Sequence, residues 1–165
     1  MKRKSSTPAL YVTRGAMIAA MYVALTYLSS LFGLSSGVIQ FRISEMLCIL
    51  PMFFPEAVLG ITVGCIISNL VTGCVIWDIV FGSLATLIGA LGARLMRKIP
   101  EKLAFLATLP TLLANAIIVP FVLMLAYGAE GGYWYFFLTV ALGEFVCATV
   151  GGTLLYCGLR KIKKQ

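Results

Sequence analysis

Three charged side chains, Arg42, Glu45 and Glu56, interrupt a stretch that reads VIQFRISEMLCILPMFFPEAVL at 38–59 and is otherwise apolar enough to enter a lipid bilayer. A charge at membrane depth costs several kcal/mol unless it is paired, hydrated or turned into a protein interior. Such residues therefore hold the fold together, hold a ligand, or do both. Other polar groups fall inside apolar runs as well: Asn69, Asp78, Asn115 and Glu144. Glu144 lies about ten residues, or roughly 15 Å at the helical rise, inside the last run. Asn115 reaches a comparable depth in the run before it. An intramembrane carboxylate is a functional candidate by default; a protonated or Asn-paired structural Glu is the alternative. Carboxylates from several helices, with amides between them, favour a cation that carries hydrogen-bonding groups.

Composition sets the compartment that these residues share. Of the 165 residues, 61% are hydrophobic and 12% charged, against about 45–50% and about 25% in a soluble domain. The chain reads as an all-α integral membrane protein in a single membrane domain, 1–165. Spans of roughly 20 residues each take up almost the whole length. The N-terminus, basic and then apolar, imitates a signal peptide. The apolar run continues to Gly33 without a clear stop, and cleavage would leave an odd number of spans, so a retained first helix is expected.

Punctuation between the runs gives six helices, at about 14–33, 40–54, 56–73, 77–95, 103–127 and 133–159. Gly33, Ser35, Ser36 and Gly37 form the first turn, and the Gly128–Gly132 break precedes the last helix. The second helix is short, and its wholly uncharged part begins only at Met46. Pro55 followed by Glu56 fits a helix start, with an acid in the first turn. That reading suffices for Glu56 without a ligand role.

Orientation follows from the basic residues. Lys2, Arg3, Lys4 and Arg14 precede or open the first helix; Arg94, Arg97, Lys98 and Lys102 join the fourth and fifth; Arg160, Lys161, Lys163 and Lys164 close the chain. With six spans, all thirteen basic residues except Arg42 fall on one side, which the positive-inside rule makes cytoplasmic. Both termini are expected there. The net charge of +7 then reflects topology and anionic lipid headgroups, and nucleic acid is not an expected partner.

On the outer side, Arg42 and Glu45 are spaced three apart on one helix and are expected to form an ion pair, either self-neutralising or part of a site. Asp78 can cap its helix, and Trp77 can be an interfacial anchor, as can Tyr133, Trp134 and Tyr135. Small residues recur every four positions: Ala16, Ala20 and Ala24; Gly60, Gly64 and Ser68; Ala85, Gly89 and Ala93; Gly143, Cys147 and Gly151. This spacing lets helices pack closely in lipid, within the bundle or, for the first stripe, against another protein.

The sequence contains no histidine, so His-based catalysis and His metal sites are excluded. Cys48, Cys65, Cys74, Cys147 and Cys157 show no C-x-x-C spacing and read as small buried hydrophobes, not as a metal or redox centre. No G-x-x-x-x-G-K-[ST] phosphate loop is present. A binder or carrier without a cofactor is expected, and not an enzyme.

The run Gln40-Phe41-Arg42-Ile43-Ser44-Glu45, followed by Leu50-Pro51, Phe53-Phe54-Pro55-Glu56-Ala57 and Gly60, resembles the QueT family. So does the run from Asp78 through Ile79, Val80, Phe81, Gly82, Ser83, Leu84, Ala85 and Thr86 to Leu87. That family comprises S-components, the substrate-binding subunits of energy-coupling-factor (ECF) transporters, assigned to uptake of queuosine precursors. The resemblance implies a six-helix bundle in a bacterial cytoplasmic membrane that captures a 7-deazaguanine, such as 7-aminomethyl-7-deazaguanine or queuine, from outside. Delivery would require a transmembrane coupling subunit and two ATPases, with the S-component toppling in the membrane. Ala16, Ala20 and Ala24 match the Ala-x-x-x-Ala pattern through which S-components dock on the coupling subunit. For such a ligand, Glu45, Asp78 and Glu144 are the expected acids. Asn69, Asn115 and Gln40 are the expected hydrogen-bonding partners, Trp77 or Trp134 the stacking surface, and Arg42 the residue that orients Glu45. The alternatives are a small proton-coupled secondary transporter using Glu144, an S-component for another vitamin-like substrate, and an accessory subunit without a ligand.

Overall fold

Glycine and proline decide where the apolar runs begin and end as helices. The computed structural model describes residues 8–33 and 41–164. Helix α1 (Pro8–Leu31) stops just before Gly33, whose φ of +67° breaks the helical path. A ten-residue 3-10 helix follows at Ile43–Met52, and Pro55 then caps α2 (Glu56–Val71). Gly73, at φ +73°, turns the chain into α3 (Ile76–Leu95). After a short turn at Met96–Lys98, a second 3-10 stretch (Glu101–Thr108) leads directly into α4 (Leu109–Leu125). The last helix is one continuous run in three parts: α5 (Tyr133–Glu144), a π-helical turn (Phe145–Gly151) and α6 (Gly152–Lys164). The described residues contain no strand.

Among the described residues, four stretches are long and apolar enough to cross a membrane: Pro8–Leu31, Ile76–Lys98, Glu101–Leu125 and Tyr133–Ile162. The other two are shorter. Helix α2, with 16 residues, reaches about 24 Å at 1.5 Å per residue. The expected second span is a 3-10 helix of ten residues, about 20 Å long, against a hydrocarbon core of about 30 Å. Pro51 lies inside it and cannot donate a backbone hydrogen bond. Eight of its residues, from Ser44 to Met52, are buried. It is the central core element, packed against α1, α2, α3, the π turn and α6. The described part of α1 already includes 8–13, ahead of the expected start near Arg14, and Arg14 pairs with Glu56 at 3.5 Å.

Close packing depends on missing side chains. A Cβ on Gly64 would stand 2.9 Å from Tyr22 Cβ and 3.0 Å from the Ala19 carbonyl, so α1 and α2 approach only because glycine is there. Gly89 lies against Thr111 and Gly92 against Pro110, joining α3 to α4. Gly151 meets Met46 across the core, 3.2 Å from where its Cβ would be. The first stripe behaves differently. Ala16, Ala20 and Ala24 are exposed, while α1 buries Ile18, Ala19, Tyr22, Thr26 and Ser29.

Cross-links at one end of the bundle gather the basic residues. Arg14 meets Glu56, Arg94 donates to the Pro51 carbonyl at 3.1 Å, and Arg160 pairs with Glu101. Glu56 is the buried polar member of that group; Arg42, Asn69 and Asp78 are buried together elsewhere, around the α2–α3 turn.

Candidate functional site

Arg42 precedes the first 3-10 helix in an extended conformation (φ −96°, ψ 97°). This turns its guanidinium away from Glu45 and towards α2 and α3. Its Nη1 donates to Asn69 Oδ1 at 3.4 Å, and Nη2 lies 3.5 Å from Asp78 Oδ2. Asn69 Nδ2 in turn donates to the Asp78 carbonyl at 3.4 Å. Tyr127, just past α4, donates its hydroxyl to Asp78 Oδ2 at 3.0 Å and accepts from the Val75 amide at 3.4 Å. Burial, and then the Asp78 charge, push the Tyr127 pKa up, so it stays a neutral donor. A Cβ on Gly82 would stand 3.1 Å from Asp78 Oδ1 and 3.4 Å from Asn69 Nδ2; glycine leaves these groups room.

The expected Arg42–Glu45 ion pair is therefore replaced by Arg42–Asp78. The three-residue spacing assumes both residues are helical, whereas Arg42 lies outside the helix. Glu45 faces α1 instead. It accepts from the Tyr22 hydroxyl through Oε1 and from Cys48 Sγ, at 3.2 Å, through Oε2. Beside it Thr26 donates to Ser44 at 2.7 Å, and the Ile43 amide donates to Ser29 Oγ at 3.1 Å. Together these bonds fasten the start of the 3-10 helix to α1.

Glu144 is the last residue of α5, directly before the π turn, a local widening often found at functional positions. Its electrostatic neighbours are Glu45 and Arg42, and the Asn115 amide is within its reach. The structure thus brings Arg42, Glu45, Asn69, Asp78, Asn115 and Glu144 into one buried polar cluster from five segments of the chain. Four of its atoms are buried without a hydrogen-bond partner among the described residues: Arg42 Nε, Asp78 Oδ1, Asn115 Nδ2 and Glu144 Oε2. Native proteins rarely leave such groups unsatisfied, since each costs about 1–3 kcal/mol.

The two tryptophans are not brought to this cluster. Trp77 is 58% exposed, stacks on Phe81 and lines an apolar groove of about 580 Å³ between α3 and α4. Trp134 is 72% exposed and meets Tyr133 and Phe137 edge-on. Gln40 lies outside the described residues. Asp78 does not cap α3, whose N-cap is Val75 with no side-chain bond. Glu56 lies in the first turn of α2, away from the cluster and paired with Arg14.

Two participants had no counterpart in the spacing argument. Tyr22 is fully buried at mid-helix, whereas membrane tyrosines concentrate at the interfaces; that depth is the signal which marks it. Tyr127 reads as an ordinary helix end, and only the fold reveals its reach across to Asp78. No group of three or more His, Cys, Asp or Glu among the described residues could hold a metal ion.

The family model described as the QueT transporter matches residues 12–161. A relative from Lactococcus lactis subsp. cremoris (strain MG1363), described as "Queuosine precursor transporter QueT", is 31% identical over 147 residues, covering 85% of this chain and 86% of the relative. No solved structure matches the chain. With four long apolar helices and a match over nearly its whole length, the protein is a multi-pass membrane protein that belongs to the QueT transporter family.

Proposed function

We propose that this chain is the substrate-binding subunit of an ECF-type importer, capturing a queuosine precursor outside the cell and releasing it to the cytoplasm. The observation that carries this reading is the buried cluster. It holds three carboxylates, one guanidinium and two amides, with four polar atoms still lacking partners among the described residues. A purely structural network would be expected to close on itself, whereas a receptor leaves groups for its ligand. The relative's description as a queuosine precursor transporter supports the substrate, a 7-deazaguanine that offers both ring edges and, in several forms, an amine. The contact residues in this reading are Arg42, Glu45, Asn69, Asp78, Asn115 and Glu144, together with Gln40, which lies outside the described residues.

The chain lacks a phosphate-binding loop, so the energy for release comes from partners: a transmembrane coupling subunit and two ATPases. The exposed Ala16, Ala20 and Ala24 face supports docking on the coupling subunit, because small side chains permit close helix approach. Gathering of the basic residues at one end supports a cytoplasmic position for that end and for both termini, with six helices embedded in the bacterial cytoplasmic membrane. A proton-coupled carrier that works alone through Glu144 is the second reading, favoured by the unpartnered Glu144 Oε2. Reconstitution separates the two. Uptake of 7-aminomethyl-7-deazaguanine into proteoliposomes only with the coupling subunit, ATPases and ATP supports the importer. Uptake by the purified chain alone, driven by a pH gradient, overturns it.

A further inference from the structure

We infer that the cluster is a receptor with two chemically distinct ends, one reading the lactam edge of a guanine-like ring and the other holding a primary ammonium group. This rests on the queuosine-precursor reading above and adds to it the orientation of the ligand and a choice among the precursors.

The ends differ in how their charges are balanced. At one end, Asp78 has a cationic partner, Arg42, and both are fixed further by Asn69 and Tyr127. What remains there is one N–H donor, Arg42 Nε, and one acceptor, Asp78 Oδ1, both buried and unpartnered among the described residues. One donor and one acceptor match the C=O and N–H of a lactam in kind, and an arginine donor to a guanine-type carbonyl is a common pairing.

At the other end, Glu45 receives only neutral donors, from Tyr22 and Cys48. Glu144 has an amide, Asn115, within reach and feels the Glu45 charge, and its Oε2 is buried without a partner among the described residues. Arg42, already engaged by Asp78, is the only cation among the described residues that the cluster contains. Two buried carboxylates without a cation of their own make an expensive arrangement. An ammonium group with three donors supplies both the charge and the bonds, Glu144 Oε2 being free to take one. Asn115 Nδ2 remains as a donor beside it. The site therefore selects 7-aminomethyl-7-deazaguanine, whose amine is primary, over the nitrile 7-cyano-7-deazaguanine, which shares the ring edge and lacks the charge.

The test is a calorimetric titration of the purified full chain with the aminomethyl compound, its N-acetylated form and the nitrile. The aminomethyl compound is expected to bind about 100-fold or more tightly than either neutral compound, the loss typical when one partner of a buried charge pair is removed. Glu144→Gln is expected to abolish this preference while still binding the nitrile, which also shows that the variant folds. Asp78→Asn is expected to weaken all three compounds alike. Equal affinity of the wild-type protein for amine and nitrile overturns the two-ended receptor while leaving the queuosine-precursor reading intact. A preference that survives Glu144→Gln and collapses in Asp78→Asn overturns the assignment of the ends. If none of the three binds, the queuosine-precursor reading fails, and this inference with it. The wild-type series decides by itself should a variant not fold.

Discussion

Removing both members of the Arg42–Asp78 pair is expected to cost less than the sum of removing each alone. The groups lie 3.5 Å apart, with Arg42 9% and Asp78 3% exposed. At an effective dielectric of about 20 the attraction is about 5 kcal/mol, most of it offset by the desolvation of two ions. Asp78→Asn leaves a buried guanidinium facing amides and the Tyr127 hydroxyl, and Arg42→Met leaves a buried carboxylate held by Tyr127. Each single change should therefore destabilise by about 3–5 kcal/mol. The double variant Arg42→Met/Asp78→Asn buries no uncompensated charge and should fall short of the sum by about 2–3 kcal/mol. Reversible unfolding in mixed micelles, followed by circular dichroism across a denaturant series, gives all four values of the cycle. Additivity within about 0.5 kcal/mol would refute the pairing.

Other consequences follow from single contacts. Gly64→Leu should cost about 1–3 kcal/mol or prevent folding, because even a Cβ would stand 2.9 Å from Tyr22 Cβ; an unchanged unfolding midpoint contradicts the α1–α2 contact. Tyr127→Phe removes the donor to Asp78 Oδ2 and should cost about 1 kcal/mol of stability, with weaker ligand binding in the same titration. Ala20→Leu, on the exposed face of α1, should leave ligand affinity unchanged and abolish ATP-driven uptake with the coupling module. Undiminished uptake would remove that face from the docking surface.

Much of the architecture is legible in the sequence because its determinants are local. Gly33, Gly73, Pro55 and Gly128 stop or start helices by their own backbone preferences, and the apolar runs between them are plain. The second helix is misjudged because hydrophobicity reports burial but not helix type; Ile43–Met52 is apolar because it lies at the centre of the bundle. The polar residues of the cluster are visible as exceptions within apolar runs, yet their partners are not. Arg42 meets Asp78 across 36 positions and Glu45 meets Tyr22 across 23, and no periodicity encodes such pairs. The tryptophans suggest stacking surfaces by composition alone. Their outward direction follows from the helix faces on which Trp77 and Trp134 fall, and these are set by the packing of α3 and α5. The exposed alanine stripe on α1 is indistinguishable in sequence from the buried Gly60–Gly64 stripe on α2. Only the register of the two helices separates them.

The most direct measurement is an isothermal titration of the purified chain, without any partner, with 7-aminomethyl-7-deazaguanine, queuine and guanine. The cluster predicts saturable binding of 7-aminomethyl-7-deazaguanine with a Kd below about 1 μM, weakened about 100-fold or more in Glu45→Gln or Glu144→Gln. Absence of binding by all three compounds would contradict it.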